Sequence, residues 1–464
     1  MMATPACKEE ISKAWLEVIL TQYESKAKAK SSVAVTCFQV NPGVKPGENF
    51  SSQLVKILVE ARVSNGDQAG HISKTYNLLA KFLQGNAFLR EVARKMNGPI
   101  REVMIYRDVM PALNQFQSER GDGNNKVDIP GFVHGVCVEG EFVLVMEDIR
   151  LSGYENNDKV KGLSHKQILL ATEKLATVHA VSFAYNKIHD FTQKFPPFRY
   201  QNKVPRQLTN FIMIFYDLCI KHLTMIKYNE SIVEKLRTNR AHFKQQILSL
   251  LLPENQQIKC LCHGDYWNNN FMFKSTTAEG LSEPDAIMLV DWGNPQWYTP
   301  ILDLQYLIHT STQLDFRRKH REEVMQHYHS TFTEITTKLG APAPFWTYEV
   351  FKEECQKAQL YGTMMGMTIN MVTLGKHSEA NPLVPTAAVD SSSVGWKVGC
   401  RLGTIMAPLF LSKIMEPLGR SFFLSFLEPL FSELSAGKNE VLNTRFYDLL
   451  NEANEDGVLD VQKS

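Results

Sequence analysis

Residues 50–63 alternate strictly enough to predict a half-buried strand. Val55, Ile57, Val59, Ala61 and Val63 share one face, and Lys56, Glu60 and Arg62 the other. Residues 33–40 read as a preceding strand, broken by Asn41-Pro42-Gly43 and Pro46-Gly47. Asn65-Gly66-Asp67 signals a turn, and 76–83 suits the returning strand, where periodicity alone leaves strand and helix open. From Pro99 the period becomes helical: Ile100, Val103, Tyr106, Arg107 and Met110 recur at three and four, and Pro111 is expected to end the run. A polar, mobile loop is expected over 117–127, then a hairpin of 131–138 and 141–146 around Glu139-Gly140.

A new helix starts after Ser164, with Gln167 completing a capping box and Ile168, Ala171, Leu175, Val178 and Ser182 along its buried face. Helices are expected at about 205–250, 313–340, 347–375 and 400–435. The strand pair 258–262 and 286–291 interrupts them as an embedded hairpin, and 376–395 reads as a long loop of the kind that is either a lid or disordered. Residues 8–30 look like a polar helix. The pattern is α+β: a strand-rich first third, a connector near 147–160 and a helical remainder.

The 464 residues suffice for two packed subdomains, and a net charge of +1 argues against a nucleic-acid or polyacid partner. The first 15 residues lack an apolar signal-peptide core, and no run reaches the about 18 apolar residues of a membrane span, so a cytoplasmic location is expected. The eight cysteines are scattered; Cys260 and Cys262 should face the same side of their strand as small buried hydrophobes.

Candidate chemistry concentrates in His263-Gly264-Asp265-Tyr266-Trp267-Asn268-Asn269-Asn270, followed by Leu289-Val290-Asp291-Trp292-Gly293. Phosphoryl transfer needs a carboxylate to hold the attacking hydroxyl, with an amide oxygen and a second carboxylate to hold Mg²⁺. Asp265 is the candidate base. Asn270, at plus five, and Asp291, ending an apolar strand, are the candidate metal ligands. Asn268 and Asn269 are decoys told apart only by spacing, and His263 reads as structural. Upstream, Lys81 stands alone in an apolar run and needs a buried partner, for which Glu102 is the natural choice. The segment Gly47-Glu48-Asn49-Phe50-Ser51-Ser52 occupies the place of a phosphate-covering loop without the usual glycine pattern.

As a set, these stretches resemble the ecdysteroid kinase-like family, a branch of the choline kinase and aminoglycoside phosphotransferase group. The likeness rests on His263-Gly264-Asp265-x-Trp267-x-Asn269-Asn270-x-Met272-Phe273, Gly47-Glu48-Asn49-Phe50, Lys81, Arg101-Glu102, Val145-Met146-Glu147-Asp148-Ile149, His179 and Leu302-Asp303-Leu304. The resemblance implies a bilobal protein-kinase-like fold, with a small β-rich N-lobe bearing one main helix and a large helical C-lobe. The corresponding bounds are a helical extension over 1–30, an N-lobe over 31–147 and a C-lobe over 148–464. It implies ATP and Mg²⁺ as cofactors, with Lys81 on phosphate, Glu102 bracing it and adenine against Glu147, Asp148 and Ile149. Asp303 would tie down the catalytic loop. Gly293 departs from the family pattern, which has Gln there.

The expected activity is transfer of a phosphoryl group to a hydroxyl of a lipophilic alcohol, an ecdysteroid or a related steroid or xenobiotic. No obligate protein partner is implied. Tyr361, Met364, Met365, Met367 and Met371, with Trp292 and Trp297, are candidate lining for the acceptor, although such a stripe is as readily plain core. The alternatives are a catalytically silent nucleotide- or steroid-binding module and a choline- or aminoglycoside-type kinase with a polar acceptor.

Overall fold

The alternating run forms the strand β2 (Ser52–Asn65), whose Val55, Ile57, Val59, Ala61 and Val63 are all buried. Each of the valines and Ile57 contributes about 1.5–3 kcal/mol by leaving water. β2 pairs antiparallel with β1 (Ser31–Pro42) on one side and β3 (His71–Leu83) on the other. β3 pairs with β5 (Glu141–Glu147), which pairs with β4 (Phe132–Val138), closing the order β1-β2-β3-β5-β4. The computed structural model describes residues 4–27, 31–43, 52–65, 71–83, 97–121, 126–138, 141–201, 204–275, 283–374 and 439–460. Of the expected phosphate loop 47–52 only Ser52, the first residue of β2, is among them; the rest of that loop, the turn at Glu139-Gly140, the loop 376–395 and the helix 400–435 lie outside them.

The chain divides into two compact units. Among the described residues, the first holds those up to Pro111 together with Asp128–Tyr154, and the second holds the rest. In the first unit the N-terminal helix α1 (Lys13–Ala27) belongs to the core of the sheet. It is polar by composition, yet Trp15, Leu16, Ile19 and Leu20 form one stripe buried in the same cluster as Val33, Val35 and Val59.

Pro111 does not end its helix. α2 (Gly98–Met104) runs into a wide π turn over Ile105–Val109, and α3 (Met110–Arg120) continues through the proline. A proline inside an α-helix clashes with the carbonyl four residues back. The wide turn relieves that clash, so Pro111 takes a first-turn position, where its missing N–H costs nothing. The polar segment 117–120, expected as loop, is therefore helical.

The second unit is built on α4 (His165–His189), capped by the reciprocal Ser164–Gln167 bonds that its sequence predicts. Helices follow at α5 (Val204–Met225), α6 (Glu230–Leu251), α7 (Ile301–Ser311), α8 (Leu314–Lys338), α9 (Tyr348–Lys357), α10 (Gln359–Leu374) and α11 (Glu440–Glu455). No described helix is long and apolar enough to cross a membrane. The expected hairpin of 258–262 with 286–291 is corrected by the strand register. β7 (Cys260–Cys262) pairs with β10 (Gln296–Tyr298), while β8 (Phe271–Lys274) lies between the short strand β6 (Glu155–Asn156) and β9 (Ala286–Leu289), antiparallel to both. The turn at Asn268–Asn270 sends the chain straight into β8, which takes β9 as its nearest antiparallel partner.

Buried Arg317 holds α11 to α8 through Glu452, at 2.6 Å. Replacing Glu452 by Ala leaves a buried guanidinium without its carboxylate, and a loss of about 3–5 kcal/mol from the helical unit is expected in chemical denaturation. An unchanged unfolding midpoint would show that the pair carries no such weight.

Candidate functional site

The loop between β7 and β8 carries the motif, and one buried carboxylate holds its start. Asp303, in the first turn of α7, accepts the backbone N–H of His263 through Oδ2 (2.5 Å) and that of Gly264 through Oδ1 (3.0 Å). His179 bridges Asp303 (3.3 Å) and the Tyr328 hydroxyl (2.7 Å). Burial pulls the His179 pKa down, but its hydrogen bonds, that to Asp303 foremost, outweigh burial and leave it at about 9. Gly264 has φ +77°, and a Cβ there would run into the Asn294 carbonyl oxygen. Only glycine fits between the clamp and that carbonyl.

Asp265 follows, partly open to solvent. Its Oδ1 accepts from the Tyr306 hydroxyl at 2.6 Å, and its Oδ2 from Asn270 Nδ2 at 2.9 Å. Asn270 Nδ2 also donates to the Asp265 carbonyl, at 2.8 Å. Both partners of that amide are acceptors, so its NH₂ must face Asp265 and its Oδ1 is left over, a hard oxygen donor suited to a divalent cation. Burial pushes the Asp265 pKa up and the nearby Asp291 charge adds to it, while the bonds from Tyr306 and Asn270 oppose the rise without cancelling it.

Asp291 is brought to the same place by its neighbour. Val290 donates its N–H to the Asn270 carbonyl (3.0 Å), and its own carbonyl meets His263 Nε2 at 3.1 Å. Held at both ends, Val290 delivers Asp291 in a left-handed conformation, φ +55°, which a non-glycine residue keeps only when its surroundings impose it. Buried Trp292 packs on the His263 ring, with centroids 4.4 Å apart. His263 is thus structural, and burial lowers its pKa. At Gly293, the departure from the family pattern, neighbouring amides bridge the loops: Asn294 Nδ2 donates to the Gly264 carbonyl (3.1 Å) and Gln296 Nε2 to Asn294 Oδ1 (3.1 Å). Asn268, one decoy, is buried and donates to the Asp158 carbonyl.

The first unit holds Lys81 and Glu102 together, Nζ to Oε1 at 2.6 Å, with both side chains buried. Strand β3 fixes Lys81 opposite Leu54 and Leu144, and α2 presents Glu102. In the connector, the N–H groups of Glu147 and Asp148 are spent on the carbonyls of Gly131 and Asn77, both at 2.9 Å. The Asp148 side chain is spent on Arg150, at 2.6 Å. Ile149 opens a 3-10 turn, so its N–H has no partner within that turn.

Tyr306 escaped the sequence reading. It stands one turn past Asp303 on the same helix, and that spacing is the available signal. The methionine stripe is core: Met364, Met365, Met367 and Met371 are all buried on α10. Tyr361 differs. Burial, followed by the charges of Asp303, Cys262 and Asp265, drives its pKa far up, and its hydroxyl makes no hydrogen bond among the described residues. Trp297 stacks on Phe191, centroids 4.3 Å apart.

The His179–Asp303 clamp makes the fold sensitive to pH. A histidine whose folded pKa is about 9 against an ordinary 6.5 stabilises the protein fully below 6.5, and that contribution is lost as pH rises through about 9. The thermal midpoint is expected to fall over that window, and to fall less in His179→Gln. Equal slopes in the two proteins would refute the linkage.

The model of the ecdysteroid kinase-like family matches residues 46–341. No curated protein matches the chain. Among solved structures, the chain is similar to a GDP complex of aminoglycoside 2'-phosphotransferase-IIIa, with 12% identity, 84% of this chain and 98% of that chain covered, and a TM-score of 0.37. A Plasmodium vivax ethanolamine kinase shows 12% identity, coverage of 90% and 89% and a TM-score of 0.35. Choline kinase LicA from Streptococcus pneumoniae shows 12% identity, coverage of 84% and 99% and a TM-score of 0.31. The matched span takes in Lys81, Glu102, the whole 263–270 loop, Asp291 and Asp303, and the chain belongs to the ecdysteroid kinase-like family.

Proposed function

We propose that this protein is an ATP- and Mg²⁺-dependent kinase that phosphorylates a hydroxyl of a small lipophilic alcohol, an ecdysteroid or a related steroid or xenobiotic. The observation that carries the reading is the Asp265 carboxylate, gripped on both oxygens, beside an Asn270 amide turned so that its oxygen has no hydrogen-bond partner among the described residues. Asp265 holds the acceptor hydroxyl and takes its proton as the new O–P bond forms. Asn270 Oδ1 and the Asp291 carboxylate would hold Mg²⁺, which when bound neutralises charge on the transferring phosphoryl group.

Lys81, oriented by Glu102, offers its ammonium to the α- and β-phosphates. A purine needs one donor and one acceptor from the connector; the N–H of Ile149, without a partner in its own turn, and the carbonyl of Glu147 supply them. Asp148 serves the connector by folding Arg150 back onto it, and Arg150 also reaches the Gly43 carbonyl, at 2.7 Å. Tyr306 keeps the base ionised and aimed. The Tyr361 hydroxyl, without a hydrogen-bond partner among the described residues, is available to a polar group of the acceptor. Tyrosine hydroxyls beside the base suit a neutral polyol better than the cation of choline or an aminoglycoside.

Asp265→Asn is expected to lower kcat by about 10²–10⁴ while ATP affinity persists; undiminished turnover would remove Asp265 as base. The raised Asp265 pKa places the acid limb of kcat/KM above the ordinary carboxylate range, because activity is lost as pH falls and the base protonates. Tyr306→Phe deletes a bond that opposes that rise, so its acid limb should move to higher pH; an unmoved limb would refute the coupling. Labelled ATP with a panel of polyhydroxylated steroids, phenols, choline and kanamycin tests the acceptor. Transfer to choline or kanamycin alone would overturn the lipophilic reading.

A further inference from the structure

We propose that His165, His320 and Glu323 form a surface site for one divalent transition-metal ion of the zinc type, separate from the catalytic carboxylates. His165 is the first residue of α4; His320 and Glu323 lie one turn apart on α8, which packs along α4. His165 Nε2 sits 3.0 Å from each oxygen of Glu323, and His320 Nδ1 sits 2.7 Å from Oε2. The three ligand atoms lie within 4.8 Å of one another. In a tetrahedral zinc site, bonds of about 2.0–2.1 Å set ligand atoms about 3.3 Å apart, so small side-chain rotations admit the ion.

The donors are prearranged. The Ser164–Gln167 capping box fixes the first turn of α4 and with it His165. Phe316 lies against both imidazoles, with centroids 6.0 Å from His165 and 5.0 Å from His320, and the two imidazoles are 4.4 Å apart. His165 and Glu323 are 44% and 47% exposed and His320 is 22% exposed, which leaves a solvent-facing position for water. Two imidazoles and a carboxylate favour Zn²⁺, Cu²⁺ or Ni²⁺ over Mg²⁺, whereas Asp291 and the Asn270 amide present oxygen alone. The second compact group of ligand types, His179, Cys260 and Cys262, is unsuited: it is fully buried, and both nitrogens of His179 already hold Asp303 and Tyr328. An ion at the surface triad replaces protons with bonds to both helices and ties the start of α4 to α8.

The test is a Co²⁺ titration of the full chain in saturating Mg²⁺, read by visible d–d absorption, with Zn²⁺ competition and a melting curve beside it. One equivalent of Co²⁺ should give a band that Zn²⁺ removes and Mg²⁺ does not, and Zn²⁺ should raise the melting temperature. His165→Ala and His320→Ala should each weaken binding at least about 10-fold, since losing even an outer partner costs about 10–100-fold. The double variant should abolish the band and the Zn²⁺-dependent shift in melting. Should the double variant misfold, Glu323→Gln and the single variants carry the comparison. No band in the wild type, a band unchanged in these variants, or a sulfur-to-cobalt charge-transfer band would overturn the proposal. None of these readouts uses kinase activity, so failure of one proposal leaves the other standing.

Discussion

A single buried carboxylate organises the chemistry of the helical unit. Asp303 accepts two consecutive backbone N–H groups, those of His263 and Gly264. Either donor left unpaired in that interior would cost about 1–3 kcal/mol, so the loop has one low-energy path past α7. That path forces the left-handed turn at Gly264 and aims Asp265 back toward the same helix, where Tyr306 meets it one turn on. One helix thus anchors the loop through its aspartate and the Asp265 carboxylate through its tyrosine. His179 and Tyr328 complete the buried network on the far side of Asp303.

The same economy governs the second carboxylate. Asp291 is reached through Val290, whose two backbone groups are claimed by Asn270 and His263. Two acids held close repel each other, and burial sharpens the repulsion; Asp265 is raised for both reasons. In the sheet unit, the Lys81–Glu102 pair makes a related point. A buried ion pair gains little stability over apolar residues of the same volume, so its value lies in where it holds the ammonium.

Much of this was legible because it is local. The alternation in β2 and the capping box at Ser164 each act within a few residues, and both formed as read. The failures share a cause. Pro111 was read as a terminator because the π turn that accommodates it leaves no mark in residue types. The N-terminal helix looked merely polar because Trp15, Leu16, Ile19 and Leu20 are few among many charges, and only the sheet beneath them shows that they make one face. The pairing of β7 with β10, rather than with β9, depended on where the 263–270 loop sent the chain.

The order of residues alone determined which side chains are equipped for the chemistry: a carboxylate with an amide at plus five, a second carboxylate at a strand end, and a lysine that had to be paired. It also determined the family. Tertiary structure decided the partners that come from far along the chain, such as Tyr306 on Asp265 and Asp303 on the loop backbone. It also decided which of three consecutive asparagines turns its amide toward Asp265, and it brought His165 beside His320 and Glu323. Local periodicity reports the face a residue occupies. Which distant group meets it there is set by how helices and strands pack, and packing follows from the whole buried surface rather than from any short stretch of it.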